Sequence, residues 1–250
     1  MPHDSPPPRL RPVLLLLLLS LWSCLPAQAF AQDRELRIVT VELGACGRME
    51  EGRPGGFCFE LGNALAREAG LASENRLVPL ARGVEEMDTG MADMIITPPE
   101  GRIAELAEDI GPVKAMTLVA WGRVETPLRD VRDLAGKTVA VLRGSRYERA
   151  RAKALKYIPF PCKNHELGFK MLMAGRVDAV IGSRQGLAAA TDRLGLRRRF
   201  LGRPLVLERD FMRVYVSLRV PPSVRARLRK ALNRLVEDGT VARLRGRYPL

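Results

Sequence analysis

The apolar positions along this chain alternate between two periods. Some recur at helical spacing, and others form short, nearly unbroken runs typical of strands buried on both faces. Residues 36–41 (LRIVTV) read as a first strand. Phe57, Leu61, Ala64, Leu65 and Ala69 then fall on one face of a helix that Gly70 ends. A strand near 76–79, a short helix near 83–89, a strand at 93–97 and a helix at 100–107 follow, and 116–121 (MTLVAW) reads as a long strand. The same alternation then recurs. A short helix is predicted at 130–135, a strand at 137–142 (KTVAVL), and a helix from Gly144-Ser145 to about Lys156. An extended stretch at 157–161, a helix capped by Asn164, a strand at 178–181 and a helix at 184–194 complete the second unit. The chain returns through a strand at 211–218 and ends in two amphipathic helices over 221–247, broken at Gly239.

Two segments repeat one pattern. Residues 87–96 (MDTGMADMII) and 172–181 (LMAGRVDAVI) both place a glycine, Gly90 or Gly175, at the end of a helical stretch. Three residues later each has an aspartate, Asp93 or Asp178, and then a short apolar run. Glycine supplies a left-handed helix end, and aspartate can bond the backbone of the turn. The order βαβαβ, crossover, βαβαβ, crossover, helices predicts an α/β protein of two similar lobes. The first is discontinuous, 32–120 with 212–250, and the second spans 121–211. Crossing strands near 118–122 and 207–213 would form a hinge that closes the lobes on a ligand, and clefts between such lobes are where small molecules bind.

The N-terminal 31 residues stand apart. Arg9 and Arg11 precede an apolar stretch from Val13 to Trp22, followed by Ala27-Gln28-Ala29 and Ala29-Phe30-Ala31. This is the layout of a secretory signal peptide cut after Ala31; the alternative is lipoprotein processing at Cys24, which the bulky Trp22 disfavours. No later segment is long and apolar enough to span a membrane. The expected location is the periplasm. Export changes the meaning of the formal net charge of +13. It argues against nucleic acid as partner, and the basic residues are scattered apart from Arg197-Arg198-Arg199, which reads as a solvated turn. In an oxidising compartment two of the three remaining cysteines pair. Cys46 and Cys58 flank the Gly/Pro/Arg-rich loop 47–56, so a local bridge between them is favoured, with Cys162 free or buried.

Signals for metal or nucleophilic chemistry are weak. His3 and His165 are the two histidines, and the Cys162/His165 pair lacks companion ligands, so neither metal nor cofactor is expected. Gly136-Lys137-Thr138 lacks both the upstream glycine and the following helix of a phosphate loop. Stronger signals lie at the carboxyl ends of the strands, where open α/β sheets bind ligands. These are Thr97 to Arg102, then Arg143-Gly144-Ser145-Arg146, then Gly182-Ser183-Arg184. A glycine and a hydroxyl opening a helix can direct backbone N–H groups at an anion.

With these strings in order, the chain resembles the bacterial extracellular solute-binding proteins of family 3, the periplasmic amino-acid-binding type that serves ABC importers. The resemblance covers nearly all of 35–248. It rests on LRIVT, GGFCFELGNALAREAGL (55–71), the twin motifs, DLAGKTVAVLRGS (133–145) and LRKALNRLVEDGTVARLRGRY (228–248). It implies a two-lobed fold of type II, a small-molecule ligand, a membrane permease as partner, a monomer, and no catalysis. Arg102 matches the arginine that holds the ligand's α-carboxylate in the family. Thr97, Gly144, Ser145 and Arg146 match contact positions, with Arg146 where a threonine is usual. Ser183 stands where an aspartate commonly takes the ligand's ammonium, and Gly44 stands near the place of a covering aromatic. Glu42 is a candidate acidic contact. These departures imply a small polar, carboxylate-bearing solute other than an ordinary amino acid. Two alternatives stay open: a sensory or accessory protein with a modified pocket, and a dehydratase of cyclic dienyl acids with Glu42 or Glu100 as general acid or base.

Overall fold

A computed structural model describes residues 35–196 and 198–248. The segment predicted to be a signal peptide, with Cys24, and Arg197 lie outside the described residues. Among the described residues no helix is long and apolar enough to cross a membrane.

The chain begins with β1 (Leu36–Val41), buried along almost its whole length. A small hairpin follows, β2 (Arg48–Glu50) and β3 (Arg53–Gly55), within the segment read from sequence as a loop. Its two central residues, Glu51 and Gly52, both have positive φ, the geometry that matches the twist of a two-residue hairpin. Helix α1 (Phe57–Glu68) buries Phe57, Leu61 and Leu65, and Cys46 is bonded to Cys58 in its first turn, closing the base of the hairpin. Next come β4 (Ser73–Val78), α2 (Leu80–Thr89), β5 (Met94–Thr97) and the short α3 (Gly101–Leu106). The second unit contains β7 (Thr138–Leu142), α4 (Ala150–Leu155), β8 (Ile158–Cys162), α5 (His165–Met173), β9 (Ala179–Ser183) and α6 (Arg184–Arg193). Helices α7 (Pro222–Glu237) and α8 (Thr240–Arg247) finish the fold.

Two strands exceed their predicted lengths. β6 runs from Ala107 to Gly122 and β10 from Leu205 to Ser217, paired antiparallel. Their first halves carry mixed polar residues and, in β6, Gly111-Pro112, so no clean alternation marks them. The register slips on both sides of Gly111-Pro112, where Val113 and Ile110 have no partner in β10. Such bulges let a sheet accommodate a residue that lacks an N–H. The two strands tie everything into one eight-stranded mixed sheet, β4-β1-β5-β10-β6-β9-β7-β8. The two βαβ sheets are thus joined without a break in hydrogen bonding.

The predicted helix from Gly144 to Lys156 is reduced to α4 and preceded by turns. Gly144 has φ +83, and its N–H donates to the Glu148 carboxylate, which holds the segment in a turn.

The core is divided. One apolar cluster joins β1, α1, β5, the end of β10, α7 and α8, and another lies on the opposite face of β1 and β5, under α2. Two further clusters join the end of β6 with β7, β9, α5 and α6.

The twin turns are scaffold. Gly90 and Gly175 adopt left-handed φ of 75° and 68°. Asp93 donates its N–H to the Arg37 carbonyl, and Asp178 donates to that of Thr138. Their carboxylates accept from the backbone N–H of Arg37 at 3.0 Å and of Thr138 at 2.9 Å. Each aspartate therefore bonds the neighbouring strand instead of its own turn, fixing β5 to β1 and β9 to β7 in the same way.

Candidate functional site

The ends of β1, β5, β7 and β9 converge on a cavity of about 100 Å³, room for several waters or one small molecule. β1 runs parallel to β5, and β7 parallel to β9, so these are the carboxyl ends that the doubly wound rule assigns to ligands. The remaining walls come from β6, α2, α5, α6 and Met212 of β10. Most are apolar, including Val41, Leu43, Leu80, Ile96, Met116, Leu142 and Ile181.

Four of the ligand contacts expected from sequence line this cavity: Thr97, Ser145, Arg146 and Ser183. Thr97 ends β5 and is 1% exposed. Its Oγ1 is buried without a hydrogen-bond partner, as is Ser145 Oγ. Ser183 caps α6, its Oγ accepting from Gly186 N at 3.0 Å. Arg146 reaches the wall, but its guanidinium pairs with Glu208 and with Asp210 at 3.2 Å, while Arg151 also holds Glu208 at 2.7 Å. Two carboxylates thus balance two guanidinium groups, so the arginine that replaces the usual threonine brings no surplus positive charge.

Three sequence candidates are not brought to the cavity. Arg102 is 52% exposed at its side chain and bonds Asp88 at 2.7 Å and Glu105 at 2.9 Å. On α3, Ile103 takes the buried position, which turns the preceding arginine to the surface. Glu42 is exposed beyond β1. Gly144 packs instead against α2, where an added Cβ would lie 2.7 Å from Ala81 Cα. The anticipated row of free N–H groups is also spent. Gly144 donates to Glu148, Ser145 to the Leu142 carbonyl and Arg146 to Glu100.

Three further residues of the lining bear on its chemistry. Glu100, noted from sequence only as a candidate acid, is 6% exposed, and burial pushes its carboxyl pKa up to about 7 against the opposing hydrogen bond and charge of Arg146. His165 begins α5 and is 3% exposed. Burial lowers its pKa to about 4, so the ring is neutral, and its Nε2 has no partner. Gly182 and Gly186 make room for it, since a Cβ on Gly182 would fall 2.4 Å from His165 Cε1. Lys114 projects from β6, donating to the Tyr248 carbonyl at 3.2 Å with its Nζ 4.7 Å from the Phe57 ring centre. For His165 the available signal was the C-x2-H spacing, too sparse for a metal site and silent on any other role; Lys114 lay in the unmarked half of β6.

No protein-family model matches the chain. It is similar to a probable amino-acid-binding protein, YxeM, of Bacillus subtilis, with 28% identity over 209 residues, covering 80% of this chain and 77% of that one. Among solved structures, a histidine kinase sensor domain with similarity to periplasmic binding proteins superposes with a TM-score of 0.75 at 19% identity, over 87% of this chain and 96% of that one. An ancestral arginine-binding protein bound to arginine superposes with a TM-score of 0.72 at 20% identity, over 86% and 98%. The fold is that of the two-lobed periplasmic binding proteins.

Proposed function

We propose that this chain, which has the two-lobed binding-protein fold and resembles family 3, is an extracytoplasmic solute-binding protein. It captures a small carboxylate-bearing solute by hinge closure and delivers it, as a monomer, to the permease of an ABC importer. The lobes are 32–120 with 212–250, and 121–211, and β6 and β10 are the hinge strands. A signal peptide ending at Ala31 takes the chain to the periplasm.

One observation carries this reading. Thr97 Oγ1, Ser145 Oγ and His165 Nε2 are buried polar atoms without protein partners, and all three residues line one cavity, Thr97 from one half of the fold and the others from the second. A buried polar group left unbonded costs about 1–3 kcal/mol. A ligand that bonds several of them recovers that cost while it draws the halves together. A micromolar affinity needs about 8 kcal/mol, within reach of such bonds plus burial in an apolar cleft. The test is a thermal-shift screen against a broad metabolite panel, repeated on Thr97→Val/Ser145→Ala. A ligand that stabilises the native protein and is at least tenfold weaker on the variant is the expected result; no shift from any compound, or equal binding by both proteins, refutes the reading.

A second reading draws on Glu100. A buried carboxyl with a pKa of about 7, lining the same cavity as a neutral imidazole, suits general-acid chemistry on a dienyl acid. Turnover of prephenate or arogenate that disappears in Glu100→Gln would establish it, and no turnover above background would exclude it.

A further inference from the structure

Resting on the solute-binding reading, the charges around the cavity narrow the ligand further. The charged anchor expected from sequence, Arg102, is on the surface, and Ser183, which stands where the family commonly has an aspartate, caps a helix. Arg146 is neutralised by Glu208 and Asp210. Lys114 remains. Among the described residues it has no carboxylate partner, one of its three N–H groups is used by Tyr248, and the Phe57 ring lies beneath it. Burial and the nearby Arg245 lower its pKa, as for an ammonium without a counter-charge. Glu100 is the single carboxylate that lines the cavity among the described residues, and one of its oxygens accepts from Arg146 N. Around these groups Val41, Leu43, Leu80, Ile96, Leu142 and Met212 present hydrocarbon.

We propose that Lys114 is the carboxylate anchor and specificity-determining residue of this cleft, and that the ligand is a small monocarboxylic acid with a hydrocarbon body and no free ammonium group. An ammonium near Lys114 would meet like charge, and among the described residues the cavity offers it no carboxylate besides Glu100, one oxygen of which already accepts from Arg146 N. A carboxylate gains a charge-assisted bond from Lys114, and its hydrocarbon portion gains by leaving water.

Isothermal titration at pH 7.5 with 4-methylpentanoate and 3-phenylpropanoate, their primary amides, leucine and phenylalanine tests this. The native protein binds an acid at least tenfold more tightly than its amide or the matching amino acid. Lys114→Met loses at least tenfold for the acid and little for the amide, Lys114→Arg recovers the preference, and circular dichroism verifies that each variant is folded. Tighter binding of leucine or phenylalanine than of the deaminated acid overturns the proposal, as does unchanged acid affinity in folded Lys114→Met. Binding of some other solute in the same cleft, weakened by Thr97→Val/Ser145→Ala but not by Lys114→Met, overturns it while leaving the solute-binding reading intact. Failure of these acids together with the whole metabolite panel removes both.

Discussion

Glu100 and His165 face one cavity and carry opposite pH responses. The Glu100 carboxyl is raised from 4.5 to about 7 by burial, so the folded state holds the proton longer than the unfolded chain. Its contribution is greatest below about 4.5 and is lost as pH rises through about 7. The His165 ring is lowered from 6.5 to about 4, so the unfolded chain binds the proton first. Its contribution is present above about 6.5 and is lost as pH falls through about 4. Each shift is on the order of 3 kcal/mol across its window, and the two oppose each other between about pH 4.5 and 6.5. Urea denaturation of the native protein is therefore nearly flat there as far as this pair is concerned. Glu100→Gln makes stability rise with pH over that range, and His165→Asn makes it fall; equal slopes in all three proteins would refute the pairing. At Arg102 the exposed ion pairs with Asp88 and Glu105 are screened by solvent. Arg102→Ala is expected to leave ligand affinity and melting temperature unchanged, and a tenfold loss of affinity would return the arginine to the site.

At the scale of elements, sequence legibility followed burial. β1, α1, β5 and β9 were recognisable because both faces or one clear stripe are apolar. The early halves of β6 and β10 were hidden because each pairs with the late half of the other, carries mixed polar side chains and contains a bulge. Thr97, Ser145 and Ser183 were accessible from strand-end position alone, whereas Lys114 required the full course of β6, and Arg102 depended on how α3 rotates about its axis. The turn at Gly144 shows the same limit, because its glycine answers to Ala81 of α2 and not to a ligand. Gly144→Ala puts a Cβ 2.7 Å from that backbone in a left-handed conformation. It is expected to weaken ligand binding at least tenfold by opposing approach of the turn to α2, with unchanged titrations as the contrary result. The Cys46–Cys58 bridge closes a short loop at the foot of the β2–β3 hairpin. Replacing both cysteines with alanine should cost about 2–3 kcal/mol in denaturant unfolding, and no change would show that the hairpin holds itself.

Across the whole molecule, two divided cores meet along two long antiparallel strands, and Glu100 reaches from one half to the Arg146 N–H of the other. The formal charge of +13 does not concentrate in the cleft. Much of the arginine on α7 and α8 is engaged with Glu108, Glu68 and Glu60, and Arg146 is balanced by its own carboxylates. Specificity therefore rests on a few groups in an apolar setting, the ordinary composition of a small-molecule site. The most direct measurement is native mass spectrometry of the protein, titrated with the best ligand from the metabolite screen and compared with Thr97→Val/Ser145→Ala. A one-to-one complex that forms with the native chain and largely fails with the folded variant is the predicted result. Equal occupancy of the two proteins would place the ligand elsewhere and contradict the assignment of this cleft.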